Sequence, residues 1–322
     1  MSENTKLLAC GLVCADITFR VHEMPRRAEK YRAESVRFSL GGGGAIAAVA
    51  MQRLGAEVQL AGRLGDDLFG DLLREEVVSR FLGHTLLSCV PGGQSPISSV
   101  FVDDSGDRQI VNYREVDDAF SQVDVSSSDD VLATLPKFDA VIDEQQLKSM
   151  DVPDAILVDT RWEAAAIQML AYARRNGIPG VIDGEAPVSH AGMALASHVA
   201  FSRQGLRDYA GVDDIEQGLR QAQAQFHCWV CVTDGDEGVY ELNKGELLHT
   251  PAFVTKAVDT LGAGDVWHAA FTLQIAREQP ESKAIIFANA AAALKCGSDK
   301  GLDGIPSSAE VQSFLHEKGL VI

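Results

Sequence analysis

From residue 155 to residue 232 short apolar runs alternate with longer amphipathic ones, and this alternation limits the possible folds more than any other feature. Ala155 to Val158, Gly180 to Ile182, His198 to Phe201 and Cys228 to Val232 read as buried strands. Residues 164 to 176 and 214 to 226 read as helices between them. Strand–helix–strand alternation predicts a mostly parallel sheet covered on both faces. Two earlier apolar runs extend the pattern: Lys6 to Cys14, ending near Asp16, and Val58 to Gly62. With 322 residues the chain can bury one large core, so residues 1–322 are read as a single α/β domain.

A second pattern is superimposed on the first. Residues 17 to 22 and 31 to 39 alternate apolar with polar, the mark of strands with one open face. Residues 97 to 103 and 108 to 113 form a hairpin around Asp104-Ser105-Gly106-Asp107. Together these predict a four-stranded sheet, from about residues 16–40 and 96–115, lying as a lid over the main domain. The loop Met24 to Lys30 between the first two strands is basic. From 116 to 160 the pattern is indistinct, with a polar loop or helix start at Ser126-Ser127-Ser128-Asp129-Asp130.

Charge removes whole classes of function. A net charge of −18 argues against nucleic acid, which needs basic surface, and against an acidic membrane face. A small anionic substrate is compatible only if its cations are local. No apolar run approaches the length of a membrane helix, and Met1 to Lys6 is polar rather than a signal peptide, so the expected compartment is the cytoplasm. Cys228 and Cys231 have CxxC spacing, but residues three apart on a strand point to opposite faces. They are expected to be structural thiols, not a redox or metal pair.

The chemistry concentrates at Val258-Asp259-Thr260-Leu261-Gly262-Ala263-Gly264-Asp265, which runs into an Ala-rich helix. Gly262, Ala263 and Gly264 place a flexible turn at the helix N-terminus, where free N–H groups and the helix dipole favour anions. Asp265 is a carboxylate beside that cradle, an arrangement suited to phosphoryl transfer onto a hydroxyl. An Asp capping an ordinary helix start would look the same. A second glycine run, Gly41 to Gly44, precedes the helix 45 to 54. Gly42 to Ala47 formally fits a dinucleotide GxGxxA, with Asp66 at a suitable distance, yet it follows a small-sheet strand rather than the first core strand. No P-loop and no zinc motif are present. Thr233-Asp234-Gly235-Asp236-Glu237-Gly238 closes a buried strand and serves as a phosphate-contacting loop or as a plain tight turn.

Taken together these stretches resemble the ribokinase-like (PfkB) family of carbohydrate kinases. Gly41 to Gly44 with Gly62-Arg63-Leu64-Gly65-Asp66-Asp67-Leu68-Phe69-Gly70 is similar to the family's N-terminal signature, and Asp259 to Asp265 to its C-terminal one. The resemblance implies a three-layer α/β sandwich with a β-sheet lid, ATP and Mg²⁺ as cofactors, and Asp265 as the base for a sugar hydroxyl. It implies that the Gly262 to Gly264 turn holds the transferred phosphoryl group. It implies ATP contacts at Thr233, Gly235, Gly238 and Asn289, sugar contacts at Asp16, Gly42 and Gly43, and a monovalent-cation (K⁺) site near Asp259. Lid strands in such a protein lend themselves to pairing between subunits, which implies a homodimer. Two positions depart from the family pattern. Ser202-Arg203-Gln204-Gly205 stands where Asn-x-x-Glu is usual, removing a Glu that organises Mg²⁺, and Ile46 replaces a sugar-binding Asn.

Within the family, Glu29-Lys30-Tyr31, Ile110-Val111-Asn112-Tyr113, Val158-Asp159-Thr160-Arg161-Trp162, Val181-Ile182-Asp183-Gly184 and Ala293-Leu294-Lys295-Cys296 resemble the members that phosphorylate 6-deoxy-6-sulfofructose. That resemblance implies Lys30, Asn112 and Arg161 as sulfonate contacts. The chemistry is sound on its own terms: a forked donor, a point charge and an amide suit three acceptor oxygens.

Overall fold

The computed structural model describes residues 5–321, except 27, 82–84, 106 and most of 115–149, where 142, 145 and 147 alone are described. The stretch Ser126 to Asp130 therefore lies outside the described residues.

The main sheet has nine strands. They are β1 (Lys6–Cys10), β4 (Glu57–Gly65), β5 (Thr85–Val90), β8 (Ala155–Val158), β9 (Gly180–Gly184), β10 (His198–Ser202), β11 (Trp229–Thr233), β12 (Val239–Asn243) and β13 (Glu246–Thr250). Their order is β13-β12-β11-β10-β9-β8-β1-β4-β5. All pairings are parallel except β11–β12 and β12–β13. Strands buried on both faces need apolar side chains on both sides. Accordingly Leu7 and Ala9 of β1 enter one core while Leu8 and Cys10 enter the other. The first core is closed by α1 (Gly43–Arg53), α2 (Leu68–Phe81), α7 (Ala263–Ala276), α8 (Glu281–Cys296) and α9 (Ser308–Glu317). The second is closed by α3 (Glu163–Asn176), α4 (His190–Leu195), α5 (Arg203–Ala210) and α6 (Ile215–Phe226). This is the expected three-layer sandwich. Helix α7 is apolar almost all round because it is enclosed by the sheet, α1 and α8; Val266 to Leu273 are all buried.

The small sheet is four-stranded, in the order β3-β2-β6-β7, from β2 (Cys14–Arg20), β3 (Ser35–Gly41), β6 (Ile97–Val102) and β7 (Arg108–Tyr113). It matches the lid expected from the alternating pattern. One boundary is corrected. The apolar run 6 to 14 is not one strand: the chain leaves the main sheet after Cys10, and Cys14 already belongs to the small sheet. Asp16 therefore projects from the lid and not from the end of a core strand. The edge strand β5 has no counterpart in the sequence reading.

Candidate active site

The C-terminal ends of β1, β8 and β9 meet the N-termini of α1 and α7, the place where open α/β sheets bind ligands. Both helices start at a glycine of positive φ with no side-chain cap: Gly42 at 92° for α1 and Gly262 at 75° for α7. Their first-turn N–H groups thus lack partners within the helix. A Cβ on Gly43 would lie 3.0 Å from Asp265 Oδ1 and 3.0 Å from Asp159 Oδ2, so a side chain there would press on both carboxylates. Two helix N-termini converge on one acidic centre, with a small cavity between Gly43, Gly44, Asp159, Asp183, Asp265 and His268.

Each carboxyl in this centre is displaced from its ordinary state. Burial, reinforced by Asp183, Asp159, Glu185 and Asp16, holds Asp265 well above the usual carboxylate range. Asp159 is pushed up to about 6 by burial, although it accepts hydrogen bonds from the N–H groups of Leu12 (2.8 Å), Gly44 (3.0 Å) and Arg161 (2.8 Å). Asp183 is raised by burial, and its Oδ1 lies 3.5 Å from His268 Nε2. His268 Nδ1 is 2.8 Å from the Gly264 carbonyl and Nε2 is 3.2 Å from that of Ala200, which fixes the second residue of α7. Asp159, Asp183 and His268 were not singled out from the sequence as parts of this centre.

Across the lid, strand register aligns Ser39, Asp16, Ser98 and Asn112 in one row. Side chains in such a row share a face. Asp16 is buried, bonded to Ser98, and raised by that burial. Asn112, two strands away, stands about 10 Å from it. Arg108 belongs to the same face and reaches the main domain: its guanidinium donates to Asp259 Oδ1 (2.7 Å) and Thr260 Oγ1 (3.1 Å). The lid face with Asp16 and Asn112 therefore looks onto the Asp259 to Asp265 turn.

Several expected contacts are placed differently. The Asp259 carboxylate is held by Arg108 on one oxygen and by buried Lys295 Nζ on the other (3.2 Å), and Lys295 also donates to the Asp259 carbonyl (3.3 Å). Two protein cations already occupy what was expected to border a monovalent-cation site. Asn289 is turned inward: Oδ1 accepts from Trp267 Nε1 (2.8 Å) and Nδ2 donates to the Pro251 carbonyl (3.1 Å). It staples the chain after β13 and offers no free edge to an adenosine. Lys30 is exposed in the loop between β2 and β3, and no described contact joins it to Asn112 or Arg161. Arg161 lies in the turn after β8, its guanidinium bonded to the Ala186 carbonyl (2.7 Å) and to Glu185. Thr233 ends β11, and Gly235 and Gly238 take positive φ around the short helical turn that follows. Ser202 caps α5 by accepting from the Gly205 N–H, and Gly205 packs so tightly that a Cβ would fall 1.7 Å from the Gly184 carbonyl. No Glu fits there without moving the backbone. The CxxC thiols are free, with burial raising both, Cys228 to about 12. Asp66 accepts from the Gly92 N–H, a turn contact unrelated to a dinucleotide.

A buried carboxylate at the junction of two uncapped helix N-termini, under a polar lid, defines a phosphotransferase acting on a small hydroxylated molecule. The pfkB family carbohydrate kinase pattern matches residues 4–307, and the chain belongs to that family. It is 26% identical over 306 residues to the ribokinase of Bacillus subtilis (strain 168), covering 95% of this chain and 97% of that one. It is also 26% identical over 310 residues to the ketohexokinase of Mus musculus, covering 94% and 99%. Its fold superposes on Arabidopsis thaliana ribokinase complexed with ribose and ATP with a TM-score of 0.72, at 20% identity and 98% and 99% coverage. Among the described residues no helix is long and apolar enough to cross a membrane.

Proposed function

We propose that this carbohydrate kinase transfers the γ-phosphoryl group of ATP to the C1 hydroxyl of a ketose with an anionic far end, 6-deoxy-6-sulfofructose, giving the 1-phosphate. The observation that carries the transfer is the convergence of α1 and α7 on Asp265. In this reading Asp16 orients the sugar from the lid, and Asp265 takes the proton from the attacking hydroxyl as the oxygen–phosphorus bond forms. The N–H groups of Gly262 and Gly264, at the start of α7, hold the developing charge on the transferred group. The turn from Thr233 to Gly238 lines the nucleotide side. A ketose is supported by the likeness to a ketohexokinase. An anionic end is supported by Asn112, in the same lid row as Asp16, and by Arg161 in the turn after β8.

The carboxylates suit Mg²⁺. Asp159, Asp183, Glu185 and Asp265 repel one another, and a hard divalent ion prefers such oxygens with phosphate as co-ligand. Asp183 and Glu185 would hold it, and it would neutralise charge on the phosphates. ATP as co-substrate supports a cytoplasmic location. The outer lid face supports a homodimer. Val36, Phe38 and Val111 are more than two-fifths exposed there, and Phe19 stacks on Phe101 at 5.4 Å.

Steady-state kinetics with ATP on 6-deoxy-6-sulfofructose, fructose, fructose 6-phosphate and ribose test the substrate. The sulfosugar is expected to give the highest kcat/KM, and a value no better than that of fructose sinks the assignment. Asp265→Asn is expected to lower kcat about 10²–10⁴-fold. A loss of only a few-fold would mean that the protein binds sugar without catalysing by this route.

A further inference from the structure

Beside the catalytic cavity lies a second pocket, lined by Gly11, Leu12 and Pro96 and by three arginines, Arg63, Arg114 and Arg161. The two cavities share a wall. The Leu12 N–H that borders the pocket is bound by Asp159, which borders the cavity. The arginines come from three separate parts of the fold. Arg63 is on β4 and lies over the Trp162 ring at 5.9 Å from its centroid. Arg161 follows β8, braced by Glu185 and Ala186 through two of its five donors. Arg114 follows β7, two residues beyond Asn112 and so on the lid face that carries Asp16. Burial, with repulsion from Arg161, holds Arg114 below the ordinary arginine range. In a chain of net charge −18 three arginines around one pocket are an outlier; Glu185 and Asp159 offset part of their charge, and an anion between them would offset more.

We infer that Arg63 and Arg114 act with Arg161 as a clamp for a tetrahedral anionic group at the far end of the sugar. This deepens the anionic-ketose reading, which named Arg161 alone of the three. Trp162 sets the Arg63 plane, and Arg114 brings the lid into the grip, so that lid and main sheet meet on the same anion. A sulfonate and a phosphate ester share the required chemistry: three acceptor oxygens matched by forked donors.

The test uses the full chain and two readouts. Tryptophan fluorescence, reporting Trp162 in the pocket wall, is followed during titration with sodium sulfate at constant ionic strength. Wild type is expected to give a saturable change. Arg114→Gln and Arg63→Gln are expected to weaken sulfate about ten- to hundredfold, and Arg114→Lys, which keeps charge but loses the fork, less. Circular dichroism confirms that each variant is folded. In the second readout the ratio of kcat/KM for an anionic sugar to that for fructose is expected to fall at least tenfold in both Gln variants. The arms with 6-deoxy-6-sulfofructose and fructose 6-phosphate distinguish sulfonate from phosphate. No sulfate binding by wild type, or equal binding by the folded Arg114→Gln variant, overturns the clamp. Sulfate binding lost in the variants, with neither anionic sugar phosphorylated, supports the clamp and sinks the anionic-ketose reading alone.

Discussion

Asp265 is surrounded by Asp16, Asp159, Asp183 and Glu185, and the fold resists its ionisation. An activity that needs it as a base should show an acid limb displaced upward from the ordinary carboxylate range of about 4. A kcat/KM profile against pH measures that limb; a limb at the ordinary value would remove Asp265 as the base. Stability moves in the opposite sense. A carboxyl raised by folding contributes stability that is present below its unfolded value, about 3.9, and lost as pH rises through the folded one. Asp265→Asn removes that loss, so the variant should melt above wild type, by a larger margin at about pH 7 than at about pH 4. Thermal unfolding at the two pH values checks this. The residue was legible because its glycine turn is contiguous. Asp159 and Asp183 were not: one is a lone Asp just after β8, the other a lone Asp near the end of β9, and only the sheet order brings them together.

At the level of elements, pattern was a good guide where burial is regular and a poor one where the chain changes sheet. The alternation from β8 to β11 and the lid strands follow from periodicity. The break between β1 and β2 does not, since Gly11-Leu12-Val13 continues the apolar run and only tertiary pairing diverts it. Strand β5 carries half-buried residues and pairs on one side only, so neither alternation nor a solid apolar run marks it. Asn289 illustrates a third limit. The family resemblance implies a nucleotide contact at this place on α8, yet its side chain ties α8 to Trp267 of α7 and to Pro251. Asn289→Ala should therefore leave a buried indole N–H without its acceptor and cost about 1–3 kcal/mol of stability. Denaturant unfolding measures this; an unchanged midpoint together with a raised KM for ATP would instead restore the nucleotide contact.

Over the whole molecule, the lid has two unlike faces. Val36, Phe38, Val111 and Tyr113 stand exposed on the side turned away from the site, next to two edge strands. Phe38→Asp should shift a dimer to monomer, as read by light scattering after size exclusion, with little effect on the monomer's own fold. A wild-type monomer, or a dimer that survives the change, would sink the assembly. The inner face is fastened to the main domain by Arg108 on Asp259 and Thr260. Lys295 stays on Asp259 from below, whatever the small sheet does. Lifting the small sheet would break this partly buried ion pair and uncover Ala15 and Leu40, which the small sheet contributes to the main core, while Asp259 would keep its pairing with Lys295. The Asp259 to Asp265 turn is thus moored twice, and the mooring on Lys295 belongs to the main domain alone, so its shape does not depend on the small sheet.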